Sequence, residues 1–296
     1  MTGFGQGFSL YSRSKGILYC LLSGLFFGLI GYFGINVIHE HISVYTMLFW
    51  RFMVAGLFIA LIMLWQRDGL KLTRRDFLTI LGHGIFFYGA CSILYFIAAN
   101  HIGSGLAMVV FFTYPALVML INKLVYKLPF NLIYCVSLLI IFSGMVFLVQ
   151  GGQFNFNPLG LVLSILSALL YAFYILASKK SRVSPLPSTL ILCLGCMIIS
   201  LITALLDRSF TLPETLSVWS NILGIGILCT ALPILLLLNG LKLISSTQAS
   251  ILSVLEPVFV VIFGILLLGE QVSLLQMIGV SIILLGSLLS LLNERH

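Results

Sequence analysis

One carboxylate in this sequence stands where carboxylates are costly. Glu256 falls about ten residues into a long apolar run. At about 1.5 Å per residue this is close to mid-membrane, where an unpaired charge costs at least about 2.5 kcal/mol. The other seven acids, Glu40, Asp68, Asp76, Asp207, Glu214, Glu270 and Glu294, lie in connections or near the ends of apolar runs. Two chemistries suit a lone deep carboxyl group. It receives a solute ammonium or carries a proton, or else it is a protonated or paired group bonded to backbone that Pro257 has loosened. Arg51, about seven residues into the second run, has three readings. It reaches inward to a solute carboxylate, pairs with Glu256 or backbone carbonyls, or draws its head out to the interface.

Helical spacing groups further polar and aromatic residues: Tyr88, Ser92 and Tyr95; Ser167, Tyr171 and Tyr174; Ser246, Ser250 and Ser253. A tyrosine offers a π-face to a cation or ring and a hydroxyl for orientation, which suits an amphipathic solute. Each such residue also has a plainer use, since tyrosine populates the interfacial belt and serine permits close helix packing. As sets facing one axis they form a candidate binding group of Glu256, Tyr114, Tyr88, Ser92, Tyr95, Tyr171, Tyr174, Ser253 and Arg51.

Other chemistries find no support. His83 has no carboxylate or thiol spaced to share a metal and reads as a packed or interface histidine. Cys193-Leu194-Gly195-Cys196 is a C-x-x-C match inside an apolar run without a second ligand pair. Six cysteines, all within apolar runs, make no extracellular disulfide framework. No G-x-S-x-G, H-E-x-x-H, paired membrane aspartates or Walker phosphate loop is present. The expectation is a protein that is not an enzyme and has neither cofactor nor metal.

The elements that position these residues follow from composition. Of 296 residues 60% are hydrophobic and 8% charged, against about 25% charged in soluble domains, and mean hydropathy is +1.18. A soluble enzyme or a nucleic-acid binder is excluded. Ten runs are long enough to cross a bilayer: 16–36, 44–65, 77–99, 104–124, 131–149, 159–177, 188–206, 219–239, 246–268 and 273–292. Short connections such as Gln150-Gly151-Gly152 and Ser184-Pro185-Leu186-Pro187 leave no room for another domain, so residues 1–296 read as one membrane domain. Arg13 and Lys15 precede the first run as in a secretory signal, but its length and the missing small-x-small site mark a retained helix.

With a cytoplasmic N-terminus, the inner segments collect Arg13, Lys15, Arg67, Lys71, Arg74, Arg75, Lys123, Lys127, Lys179, Lys180, Arg182, Lys242 and Arg295. The outer loops hold only Arg208, and Arg51 completes the fifteen basic residues. Cationic loops resist translocation, so both termini are expected in the cytoplasm of a cell with an inner membrane.

The chain also repeats. At an offset of 142, Gly82 meets Gly224, Gly84 meets Gly226, Ser104 meets Ser246, Ala107 meets Ala249, Pro115 meets Pro257, Val118 meets Val260 and Gly144 meets Gly286. Nearer the start the offset is 144, pairing Gly16 with Gly160, Ser23 with Ser167 and Leu25 with Leu169. The repeats are 16–149 and 159–292. Five helices in each would enter the membrane with opposite polarity, and inverted repeats are a hallmark of secondary transporters that expose a central site alternately to either side. Pro115 and Pro257 become candidate hinges, each withdrawing one backbone hydrogen bond. Tyr114-Pro115 stands where the second half has Glu256-Pro257, so the two halves differ chemically at the centre.

Two five-helix units, Trp50-Arg51-Phe52, Leu255-Glu256-Pro257-Val258 and Leu268-Gly269-Glu270 together resemble the EamA-type branch of the drug/metabolite transporter superfamily over nearly all of residues 16–292. The resemblance implies a ten-helix inner-membrane carrier, many such proteins exporting amino acids or other small metabolites. The expected function is secondary transport of a small organic solute, an amino acid or related amphipathic metabolite, outward by alternating access in a bacterial inner membrane. Protons are a second candidate partner. The reading from another class is a non-transporting membrane scaffold or subunit.

Overall fold

The computed structural model describes residues 3–40, 42–66, 72–129, 131–149, 157–269, 271 and 273–292. Gln150-Gly151-Gly152, the acids Asp68, Glu270 and Glu294, and the basic residues Arg67, Lys71 and Arg295 fall outside this set. Among the described residues all regular structure is helical. Ten helices are long and apolar enough to cross a bilayer: α1 (Tyr11–Gly34), α2 (Val44–Gln66), α3 (Arg74–Ile102), α4 (Ser104–Tyr126), α5 (Leu132–Val149), α6 (Pro158–Lys180), α7 (Pro185–Leu206), α8 (Leu216–Leu243), α9 (Ser246–Leu268) and α10 (Leu274–Leu291).

Local chemistry sets the ends. The side chains of Thr73, Asn157, Thr215 and Ser245 accept hydrogen bonds from first-turn N–H groups of α3, α6, α8 and α9, satisfying donors that a helix start leaves open. Lys127 and Gly269 close α4 and α9 in the left-handed conformation, at φ 52° and 65°. Glycine adopts that conformation freely and lysine does so at a steric cost.

Helix α1 is interrupted at Leu29, and four further helices depart from regular α geometry in pairs related by the repeat, the interruptions lying 142 residues apart and the π-helical segments ending 142 residues apart. Helix α4 is interrupted at Phe112 and Thr113, and α9 at Val254 and Leu255. Helices α3 and α8 carry π-helical segments, His83–Gly89 and Ile227–Ala231. A π-turn adds a residue to the helical ladder and re-aims the side chains beyond it.

Glycine contacts repeat in the same register. A Cβ on Gly144 of α5 would meet the Gly279 carbonyl oxygen at 2.8 Å and Ile283 of α10, and one on Gly286 of α10 would meet the Ser137 carbonyl oxygen at 2.9 Å and Ile141 of α5. Gly16 of α1 lies against Gly240 and Leu243 of α8 and Ile244 just beyond its end, while Gly160 of α6 lies against Ala98, His101 and Ile102 of α3. Every partner in the second set stands 142 residues from one in the first. These backbone-to-backbone approaches are the close packing that small residues allow.

One pairing lacks its counterpart. The second half of α4 packs on the first half of α9, where Asn122 Nδ2 donates to Ser246 Oγ and Thr247 Oγ1, each at 3.1 Å. The first half of α4 and the second half of α9, which the offset would pair, form no comparable interface.

Candidate functional site

The interruption of α9 ends one residue before Glu256. Thr113 N–H and Leu255 N–H turn to carbonyls three residues back, Val110 at 3.1 Å and Leu252 at 3.1 Å. The helix then restarts with Tyr114 and Pro115, or with Glu256 and Pro257, in its first turn. A proline there costs no helical bond, because a first-turn N–H has no helical acceptor. The bond withdrawn is to the preceding half, whose Phe111 and Ser253 carbonyls have lost the donor four residues on. Pro115 and Pro257 therefore sit at true discontinuities, and Glu256 opens a half-helix whose N-terminal dipole favours negative charge.

Glu256 is half-buried and its carboxyl group makes no hydrogen bond to another described residue. It lies within electrostatic reach of Tyr95, Tyr114, Tyr171 and Arg51. Helix α1 passes close by, Gly24 facing the Glu256 backbone nitrogen with room for a Cβ at 3.7 Å.

Four of the five candidate tyrosines form one cluster drawn from α3, α4 and α6. Ring centroids are 4.9 Å apart for Tyr88 and Tyr174, 5.8 Å for Tyr88 and Tyr171, 4.7 Å for Tyr114 and Tyr171, and 5.7 Å for Tyr171 and Tyr174. Tyr95 joins through Phe111, 5.4 Å from Tyr95 and 5.3 Å from Tyr171. Phe52 extends the cluster from Tyr88 toward Arg51, whose guanidinium stands 5.4 Å from the Phe52 ring centre. These are edge-to-face and tilted contacts of the kind aromatic quadrupoles favour. Tyr114 Oη donates to the Ser250 carbonyl at 3.2 Å, bridging α4 to α9.

Arg51 neither reaches out to the interface nor pairs with Glu256. It is 4% exposed. Its Nε donates to Thr230 Oγ1 at 2.6 Å, and its Nη2 donates to the Cys229 carbonyl at 3.3 Å. Pro233 deprives that carbonyl of its usual donor four residues on, and Thr230 Oγ1 in turn donates to the Ile225 carbonyl at 2.7 Å. Of the three readings of Arg51, the structure shows the one with backbone carbonyls, at the π-helical segment of α8.

The serines serve the backbone. Ser92 Oγ donates to the Tyr88 carbonyl, Ser250 Oγ to Thr247 and Ser253 Oγ to Ala249, all within their own helices. Ser167 Oγ donates across to the Cys91 carbonyl at 2.8 Å, and Ser246 accepts from Asn122. His83 stacks on Phe87 at 5.4 Å, and all six cysteines are free thiols. Among the described residues no group of three His, Cys, Asp or Glu side chains could hold a metal ion. Spacing did not reveal Thr230, Cys229, Phe111 or Asn122, nor Gln248, whose side-chain nitrogen and oxygen are both buried without a hydrogen-bond partner among the described residues.

A ten-helix bundle that gathers one carboxyl group and a tyrosine cluster around two broken helices has the architecture of a membrane transport protein. The EamA-like transporter family matches twice, over residues 14–150 and 158–292, and the chain belongs to that family. It is a multi-pass membrane transporter and not an enzyme. It is 27% identical to the uncharacterized transporter YxxF of Bacillus subtilis over 293 residues, covering 96% of this chain and 91% of that one. It is 26% identical over 231 residues to the threonine/homoserine exporter RhtA of Escherichia coli K12, covering 76% and 75%. A known crystal structure superposes with a TM-score of 0.84 at 19% identity over 95% of this chain and 99% of the other, a likeness of fold.

Proposed function

We propose that this transporter moves a small amphipathic solute bearing an amine, of the amino-acid class, outward across a bacterial inner membrane by alternating access, with both termini cytoplasmic. The observation that carries this is Glu256. It is the one acid placed deep in a span, it makes no hydrogen bond to a described residue, and it stands beside aromatic faces suited to a cation. Arg51 is already committed to Thr230 and Cys229, so Glu256 is the charged group available to a solute ammonium or a coupling proton. Outward movement rests on kinship with an exporter. Orientation rests on the basic residues, and inverted repeats on the offset of 142 in sequence and contacts. The one-sided closure of α4 against α9 supports a conformer shut at the basic face.

Glu256→Gln keeps shape and removes charge. In proteoliposomes it is expected to raise KM for amine-bearing solutes about tenfold, the worth of one charge-assisted hydrogen bond, and to flatten any pH dependence that proton coupling confers. Wild-type kinetics and pH response would assign Glu256 a structural role.

A further inference from the structure

Away from Glu256, a small cleft of about 20 Å³ opens between α3, α6, α7 and α8 at the end of the bundle that carries Lys179, Lys180, Arg182 and Lys242. This is room for about one water molecule. Its wall includes Tyr174, a member of the central cluster, together with Ser178, Ser188, His83 and Lys242. Tyr174 Oη and Ser188 Oγ, on residues only 1% and 7% exposed, have no partner in good hydrogen-bond geometry among the described residues. Buried hydroxyls are nearly always satisfied, by water or ligand if not by protein. Among the described residues no acid lines the cleft.

Lys242 lines the cleft, and Lys179 follows the lining residue Ser178 on α6. Lys179 Nζ donates to the Leu241 and Ile244 carbonyls at 2.7 and 2.8 Å, closing the C-terminal end of α8. Lys242 Nζ returns the contact by donating to the Ser181 carbonyl beyond the end of α6. These are contacts from cations to neutral carbonyls, which an anion could displace with gain of charge pairing.

We propose that this cleft, narrow in the conformer shut at the basic face, is the closed mouth through which the solute reaches Tyr174, and that Lys242 is the group there that receives an anion such as a solute carboxylate. The inference builds on the transport reading above but does not depend on Glu256. It also supplies a cation for the other end of a zwitterion, since Lys242 is held by one carbonyl whereas Arg51 is held by a hydroxyl and a carbonyl.

The test uses Ser178→Cys in otherwise full-length protein, with the unsubstituted protein as the background for its native thiols. Small membrane-impermeant thiol reagents, one anionic and one cationic, are applied separately to each face of proteoliposomes. Modification is expected from the face bearing Arg182 alone, with the anionic reagent about tenfold faster, as local cationic charge concentrates anions. Adding Lys242→Gln should bring that ratio close to one, and Lys242→Arg should preserve it. Ser188→Cys repeats the measurement should Ser178→Cys fold poorly. No modification from that face at either position, or a charge preference indifferent to Lys242→Gln, would overturn the proposal. Normal transport by Glu256→Gln would instead count only against the role given to Glu256.

Discussion

At the scale of single residues, Arg51 shows how a charge survives inside an apolar bundle. A guanidinium presents several donors in a planar fork, so one side chain reaches both a hydroxyl and the carbonyl that Pro233 leaves exposed. Arg51→Met should lower unfolding stability by about 2 kcal/mol, the range for losing hydrogen bonds to a charged group, read as an earlier thermal transition in detergent. Arg51→Lys, a point donor on a flexible stem, should fall between the two. The deep carboxyl and the tyrosines were legible in the sequence because polar groups stand out against an apolar background and helical spacing aligns them. Arg51's partners were not, because a threonine and a backbone carbonyl carry no such contrast. Phe111 was invisible for the opposite reason: one more apolar ring in an apolar helix gives no signal, although it joins Tyr95 to the rest.

At the scale of elements, two kinds of irregularity shape the centre. The interruptions of α4 and α9 were readable from Pro115 and Pro257, but their place, just before each proline, depends on three-residue hydrogen bonds that spacing does not encode. Pro257→Ala returns an N–H within reach of the Ser253 carbonyl and permits a continuous α9. Solute exchange in proteoliposomes should slow while equilibrium binding stays near wild type, and unchanged exchange with intact expression would leave the proline as packing alone. The π-helical segments were not readable at all. A uniformly apolar helix has no periodic stripe whose phase could betray an added residue. Their effect is tight packing: a Cβ on Gly84 in the α3 segment would lie 2.5 Å from the Leu192 carbonyl oxygen, and one on Gly195 of α7 would lie 2.5 Å from that of Leu81. Gly84→Ala should cost about 1–3 kcal/mol through overpacking, measured as lost thermal stability with the Gly82→Ala control unaffected, since nothing stands within 4 Å of a Cβ there.

At the scale of the whole molecule, ten crossings and a basic face were plain from composition and charge placement. The reciprocal contacts between halves were foreshadowed by matched glycines, although only coordinates show which glycine meets which helix. Tags at the C-terminus and in the 207–218 connection should report opposite compartments, and accessibility of both from one side would refute the proposed topology. Helices α5 and α10 pack chiefly on each other, through contacts in which no added methyl group fits without displacement at Gly144, Gly279 or Gly286. A saturation scan of viable variants would therefore contain two islands of intolerance. One would surround the tyrosines and change with the solute chosen for selection. The other, along this seam, would stay the same whichever cargo was supplied, marking the part of the machine that is indifferent to its freight.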